Sequence, residues 1–333
     1  MDDGRGGVLD NYDRFLNAAA AVLLLAISVA SQAQNYPSRS IRVIVTFPPG
    51  GTSDVVARTL AQKLNESLGQ AVIVENRPGA AGNLGAEFVA KAPADGYTVL
   101  LSSPAELAIN VSLYRKMPYE PIKDFTPVTL ATSAPLILVV HPVLPVKTLR
   151  ELIALAKSRP RELNVASAGS GSSPHMALEL LRGMAGIEIN HIPYKGTTPA
   201  ITDLLGGHIQ LFFSGMPPAL PLVRAGRLRA LAVTGATRTS LIPNLPTVAE
   251  SGLAGFVIDN WQGVLLPANT PREIVSRLNL EIVKILALPD VKRRLSEQGA
   301  EPVGTTPEKF AAFIQSEIDK YADIIRKSGA KVD

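Results

Sequence analysis

The chain has 333 residues, 46% apolar, 5% aromatic and 19% charged, a globular composition that excludes a disordered chain and leaves room for two domains or one large one. It contains no cysteine, which excludes a disulfide framework and a thiolate metal site. The net charge of +4 comes from scattered basic residues, with no run beyond Lys292-Arg293-Arg294, so no nucleic-acid stripe is present.

The first predicted element is an export signal. Phe15 to Ala30 holds the apolar run Ala18 to Ile27, and Ser31-Gln32-Ala33 offers small residues for a signal peptidase. The reading is a cleavable signal over 1–33, cut after Ala33, although its n-region carries four acids against Arg5 and Arg14. Without it the chain has 31 basic and 25 acidic residues, a balance of +6.

Ile41 to Phe47 then reads as a buried, β-branched strand, followed by Pro48-Pro49-Gly50-Gly51 and a helix from about Asp54 to Leu68. Thr52 or Ser53 is the expected cap. Free N–H groups and a dipole of about half a charge make a helix start attractive to anions. The turn is therefore either a seat for a ligand carboxylate or only a tight connection. Ala71 to Glu75 is a second strand, Asn76 to Asn83 a glycine-containing turn before a short helix, and Tyr97 to Ser102 a third strand. Ser102-Ser103-Pro104 opens another helix. Strand and helix alternate, so the strands are expected to be parallel, with their loops gathered where ligands bind in open α/β sheets.

Pro118 to Pro127 shows little periodicity. Val128 to Leu130 and Leu136 to Val140 read as strands, the second a candidate crossing between domains. Thr148-Leu149-Arg150-Glu151 is a capping box. Leu163 to Ser167, a Gly/Ser turn at 168–173 and a helix from about His175 repeat the opening architecture. Further strands are expected at Ile187–Ile192, Ile209–Phe213 and Leu228–Val233, with helices from Ala200 and Pro217. Phe256 to Leu266 holds the single tryptophan, Trp261, and is the candidate return crossing. Thr270 to Glu273 reads as a second capping box, and a last helix follows Thr305-Thr306-Pro307 with its apolar stripe from Phe310 to Ile325 in the core.

Catalytic chemistry finds little support. The four histidines, His141, His175, His191 and His208, lack zinc spacing, so no metal site is expected. Gly169-Ser170-Gly171-Ser172 fails the nucleophile-elbow frame, and Pro174 breaks a dinucleotide fingerprint. A secreted hydrolase using Ser170 or Ser172 is the weakest reading, with His175 structural or lining a cleft. What remains is a set of hydroxyl- and glycine-rich helix starts at 50–54, 79–83, 102–103, 169–173 and 195–198. Asp54 and Arg58, four apart, are expected to pair with each other.

Several segments together resemble the Bug-type solute receptors of tripartite tricarboxylate transporters. They are Phe47 to Asp54 with Ala57-Arg58, Glu75 to Gly85, Ala94 to Tyr97, Ile192 to Gly196, Ala225 to Ala232 and Leu245 to Gly252. The resemblance runs from about Tyr36 to Lys327. It implies an α/β two-domain periplasmic binding protein, type II-like, with two crossing strands and a ligand cleft between the domains. The domains are expected at 34–136 plus 258–333, and at 137–257. It further implies a non-enzymatic periplasmic receptor, acting as a monomer without a cofactor, that captures a small carboxylate for membrane transporter subunits. A sensor kinase is the alternative recipient. The implied ligand-binding residues are Phe47, Gly50, Gly51, Thr52 and Ser53 on the first loop, and Gly82, Asn83 and Ser102 on the same domain. Ser167, Ala168, Gly169, Ser170, Gly196 and Thr197 would face them.

Overall fold

A computed structural model describes residues 36–332; the expected signal segment and its expected cleavage position after Ala33 lie outside the described residues. The strand Ile41–Val45 (β1) sits between Val72–Asn76 (β2) and Thr98–Ser102 (β3), parallel to both. The helix Thr52–Leu68 (α1) links β1 to β2, and Asn83–Ala90 (α2) lies between β2 and β3. The βαβαβ expectation therefore holds. A parallel βαβ arrangement of this kind covers the interior strands on both faces, which fits the burial of all of β3 and of every residue of β1 except Arg42.

After β3 the chain makes a wide π-type turn at Ala105–Ile109 and a short helix Asn110–Leu113 (α3). The stretch predicted as irregular ends in a strand longer than expected, Phe125–Ser133 (β4). Only Ala134 and Pro135 separate it from Leu136–Val140 (β5), which belongs to a different sheet. The return runs beside it: Pro135 bridges to Asp259, and Asn260 N–H donates to Ala134 O at 2.8 Å. The chain then enters Gln262–Pro267 (β10), antiparallel between β3 and β4. Two adjacent segments thus carry the chain between the sheets.

The second sheet collects β5, Asn164–Ser167 (β6), Asn190–Pro193 (β7), Leu211–Gly215 (β8) and Arg229–Val233 (β9), in the order β7-β6-β8-β5-β9. Its helices are Leu149–Ser158 (α4), Ser173–Ala185 (α5), Thr197–Leu205 (α6) and Met216–Arg224 (α7). Three of them begin one to three residues before the sequence suggests, because Ser172, Gly196 and Gly215 act as N-caps. Thr148 caps α4 as expected by accepting Glu151 N–H.

Arg272–Ala287 (α8) lacks its expected capping box: Thr270 Oγ1 donates to Pro267 O at 2.7 Å instead. A short charged helix, Pro289–Ser296 (α9), and a two-residue strand, Glu301–Pro302 (β11), were not foreshadowed by periodicity; β11 completes the first sheet, β11-β4-β10-β3-β1-β2. The last helix, Pro307–Ser328 (α10), serves both halves. Phe310 and Ile314 lie in the core of the first sheet, where Trp261 meets Phe310 and Phe313 edge-on. Tyr321, Ile324 and Ile325 lie in the core under the second. Full burial of such a side chain contributes about 1.5–3 kcal/mol, so α10 ties the two cores together. Among the described residues no helix is long and apolar enough to cross a membrane.

Candidate functional site

The carboxyl ends of the parallel strands β1, β3, β6 and β8, and the amino end of the antiparallel β5, point toward one cavity of about 40 Å³, room for a few waters. From the first loop it is lined by Phe47, Pro48, Pro49, Gly51, Thr52 and Ser53. From the second sheet come Ala168, the α5 start at Ser172 to Pro174, Thr197 and Gly215. Ser103, Leu136 and Asn260 complete it. No lining residue carries a charge.

Four helix N-termini meet here, those of α1, α5, α6 and α7. That of α1 is bare. Gly51 occupies the cap position with no side-chain bond, and Thr52 and Ser53 are already inside the helix rather than capping it. Among the described residues, the N–H groups of Thr52, Ser53 and Asp54 find no acceptor, since the first helical bond is Val55 N–H to Gly51 O. On α5 the first bond is Met176 N–H to Ser172 O, so Ser173 N–H is likewise open. Orphan donors at converging positive dipole ends make an anion seat without a buried cation. Close approach is built into Gly215: a Cβ there would lie 2.5 Å from Thr52 Oγ1.

One acid stands at the seat and is neutralised locally. Asp54 accepts Gly50 N–H at 3.1 Å, Asn76 Nδ2 at 3.0 Å and Arg58 Nε at 3.0 Å, so the expected Asp54–Arg58 pair forms. Burial pushes its carboxyl up, but the bonds from Arg58, Gly50 and Asn76 outweigh this and hold it below the usual range.

The remaining predicted residues stand behind the wall rather than on it. Gly50 spends its N–H on Asp54. Asn83 Oδ1 is taken by Asn110 Nδ2 at 2.8 Å and Tyr119 OH at 2.9 Å. Gly82 is buried against Glu106. Ser102 is buried and bonds Glu106 Oε2 at 3.3 Å, while its neighbour Ser103 reaches the cavity. Ser167 is buried, 2.6 Å from His191 Nε2. Gly169 and Ser170 shape the loop beside the wall: Ser170 O receives Tyr114 OH at 3.4 Å. Gly196 rests on Pro48, and Thr198 Oγ1 donates to Pro49 O at 3.5 Å. These last contacts join loops of the two sheets over the cavity. Sequence reasoning did not name Ser103, Leu136, Ser172, Ser173, Pro174, Gly215 or Asn260 as ligand-binding residues.

His175 is the third residue of α5 and does not line the cavity; its Nδ1 accepts Gly171 N–H at 3.1 Å, and its ring stacks on His191 at 4.2 Å. Burial, then His191 and Arg182, lower it to about 3; burial and Arg182 lower His191 to about 4. Ser172 Oγ donates to Gly169 O, and neither it nor Ser170 is bonded to a histidine. Among the described residues no group of three or more His, Asp or Glu could hold a metal ion.

A family model described as the tripartite tricarboxylate transporter family receptor matches residues 56–330. The chain belongs to that family. This receptor is 42% identical to the protein BugT of Bordetella pertussis over 325 residues, 97% of this chain and 99% of that one. A solved structure of R. palustris Rpa4515 with adipate superposes with a TM-score of 0.87 at 39% identity, covering 89% of this chain and all of the other. That of MatC from Rhodopseudomonas palustris with bound malate gives 0.83 at 34%, covering 87% and 100%. The receptor thus shares the two-domain α/β fold of these binding proteins, and the expected family is the observed one.

Proposed function

We propose that this receptor captures a small organic carboxylate in the cavity between the two sheets and presents it to the membrane subunits of a tripartite transporter. The observation that carries the reading is the bare α1 N-terminus, opening with three other helix starts onto a wall that has no charged side chain. Backbone donors hold a carboxylate without the desolvation penalty of an unpaired buried cation in the empty site. The bound acids of the relatives, adipate and malate, support it.

In this reading Phe47, Gly51, Thr52, Ser53, Ala168 and Thr197 contact the ligand, joined by Ser103, Ser173 and Asn260. Gly50, Gly82, Asn83, Ser102, Ser167, Gly169, Ser170 and Gly196 hold those contacts in place. The moving bodies are 34–136 with 258–333, and 137–257, parting about the paired segments near Pro135 and Asp259 to admit the acid. The receptor is exported, cut after Ala33, works as a monomer in the periplasm, and catalyses no reaction. Thermal-shift screening of the mature chain against a broad panel of carboxylic acids tests the central claim. Ligand at 100 times its Kd adds about 2.7 kcal/mol of stability; no stabilisation by any acid sinks it. Amino-terminal sequencing of periplasmic material, expected to begin at Gln34, tests the cleavage.

A further inference from the structure

A second cavity lies away from the cleft, between α5 and α10. It measures about 650 Å³, within the range of small-molecule sites. Leu180, Met184, Val257 and Ile324 form its apolar walls. A neighbouring depression of about 410 Å³ shares Glu179, Gly183, Lys327 and Ser328 with it. None of these residues lines the cleft. Gly183 stands ten residues after Ser173 on α5, about 15 Å along the helix.

Helical spacing accounts for the opening. Glu179, Leu180, Gly183 and Met184 share one face of α5, and Lys320, Asp323, Ile324 and Lys327 share one face of α10. Gly183 supplies no side chain to the space between them: a Cβ there would find nothing within 4 Å.

The charges on the wall are matched within the protein. Lys320 Nζ donates to Glu317 Oε1 at 3.0 Å, and Lys327 Nζ lies 2.6 Å from Asp323 Oδ2. Arg182 donates to Glu179 Oε1 and to Ile189 O. One acceptor is left over. Glu179 is 6% exposed, and its second oxygen, Oε2, bonds no protein group among the described residues. Burial pushes its carboxyl up, and Arg182 offsets this only in part. A buried carboxylate oxygen that meets no donor is costly.

A cationic ligand would face Lys320 and Lys327, and an anionic one Glu179 and Asp323. A neutral molecule avoids both, lays its apolar body on the four hydrophobic side chains and gives one hydrogen to Oε2. We propose that this cavity is a second ligand site, independent of the carboxylate cleft, for a neutral and largely apolar molecule with one hydrogen-bond donor, of the indole or alkylphenol class. Glu179 reads the donor, and Arg182 orients Glu179 by occupying its other oxygen.

The test uses indole and 4-ethylphenol with their methylated counterparts, 1-methylindole and 4-ethylanisole, which keep the ring and lose the donor. The full mature chain, with methionine carrying carbon-13 methyl groups, is titrated by NMR. The Met184 methyl signal, identified by its disappearance in Met184→Leu, is expected to move on adding indole or 4-ethylphenol. Each methylated counterpart should bind at least about tenfold more weakly. Glu179→Gln should reduce that ratio to about threefold or less, because the amide oxygen stays with Arg182 and an NH2 group, which cannot accept, replaces Oε2. Gly183→Leu fills the opening and should weaken both probes at least about tenfold without lowering the melting temperature, since leucine is the better helix former. If either variant does not fold, the methylated pairs and the Met184 signal of the unaltered chain decide. The proposal is overturned if neither probe moves the Met184 signal, if the methylated counterparts bind equally well, or if binding survives in folded Gly183→Leu. Where a carboxylic acid binds the cleft, its affinity should be unchanged in Gly183→Leu; a parallel loss overturns the independence of the two sites.

Discussion

Gly171 is the position where one methyl group should separate folding from closure. It lies at φ +96° in the loop after β6, and a Cβ there would stand 2.3 Å from Asn110 Oδ1 and 3.3 Å from Ala81 Cβ and Leu113 Cδ2. Asn110 cannot yield easily, because its Nδ2 is bonded to Ala81 O and to Asn83 Oδ1. Gly171→Ala therefore has two effects. The left-handed backbone costs about 1–2 kcal/mol of fold stability whether or not the loops meet. The overlap with Asn110 arises only when they meet, and overpacking of that kind costs about 1–3 kcal/mol. Only the second effect enters the affinity, which should weaken by about 5- to 150-fold. Gly186→Ala is the control: φ is +61° and nothing lies within 4 Å of its Cβ. It should lower the melting temperature and leave the affinity unchanged. Titration calorimetry with the tightest acid, alongside thermal melts, reads both quantities. Gly171→Ala binding within about twofold of the parent would refute the reasoning.

Gly263 in β10 faces the Phe310 ring, and a Cβ there would lie 2.1 Å from Phe310 Cζ; Gly263→Ala should destabilise by about 1–3 kcal/mol in denaturant melts, with a smaller loss when Phe310 is also shortened to Leu. Asp54, whose carboxyl is held low, contributes stability in full above the ordinary carboxylate value of 3.8 and loses it as pH falls through its lower folded value. Asp54→Asn should therefore cost about 1.5–3 kcal/mol at pH 7 and progressively less below pH 4; a constant difference across that range would contradict the assignment. His175 at about 3 and His191 at about 4 stay neutral in the fold while an unfolded chain takes protons from about 6.5 downward. Their contribution is complete above that pH and falls with acidification, by roughly 2 kcal/mol each at pH 5. His175→Asn, whose amide oxygen can accept the Gly171 N–H, should flatten that decline in thermal melts between pH 7 and 5; an unchanged slope would exclude His175 as its source.

The strands and helices of both sheets were largely legible because their signals are local. A β-branched run, two prolines and two glycines mark the first loop within a dozen residues. Reading failed where the deciding partner is remote. Asn83 looks like an open donor at a helix start until Asn110 and Tyr119, far along the chain, occupy its oxygen. Ser102 and Ser103 are adjacent, and only the placement of Glu106 and of the cavity shows which one reaches the wall. Asn260 arrives from the return segment, with no local pattern to mark it. Thr52 and Ser53 carry the residue types of a cap, yet Gly51 takes that position, and the resulting open N–H groups are the useful outcome. Helix α9 was invisible because only Val291 and Leu295 turn inward on an otherwise charged segment.

The place of β10 in the first sheet governs how the chain can fold. Residues 262–267 fill the slot between β3 and β4, strands finished some 130 to 160 residues earlier. Until that segment arrives, both neighbours present open edges, and the second sheet must form as an insertion within an unfinished first one. Pairings of such long sequence separation are slow to form and leave exposed strands prone to wrong partners in the meantime. Truncation anywhere before Pro267 should therefore leave no stable half-molecule from the amino-terminal side, whereas a chain held extended until its last third is available avoids the open-edged intermediate altogether.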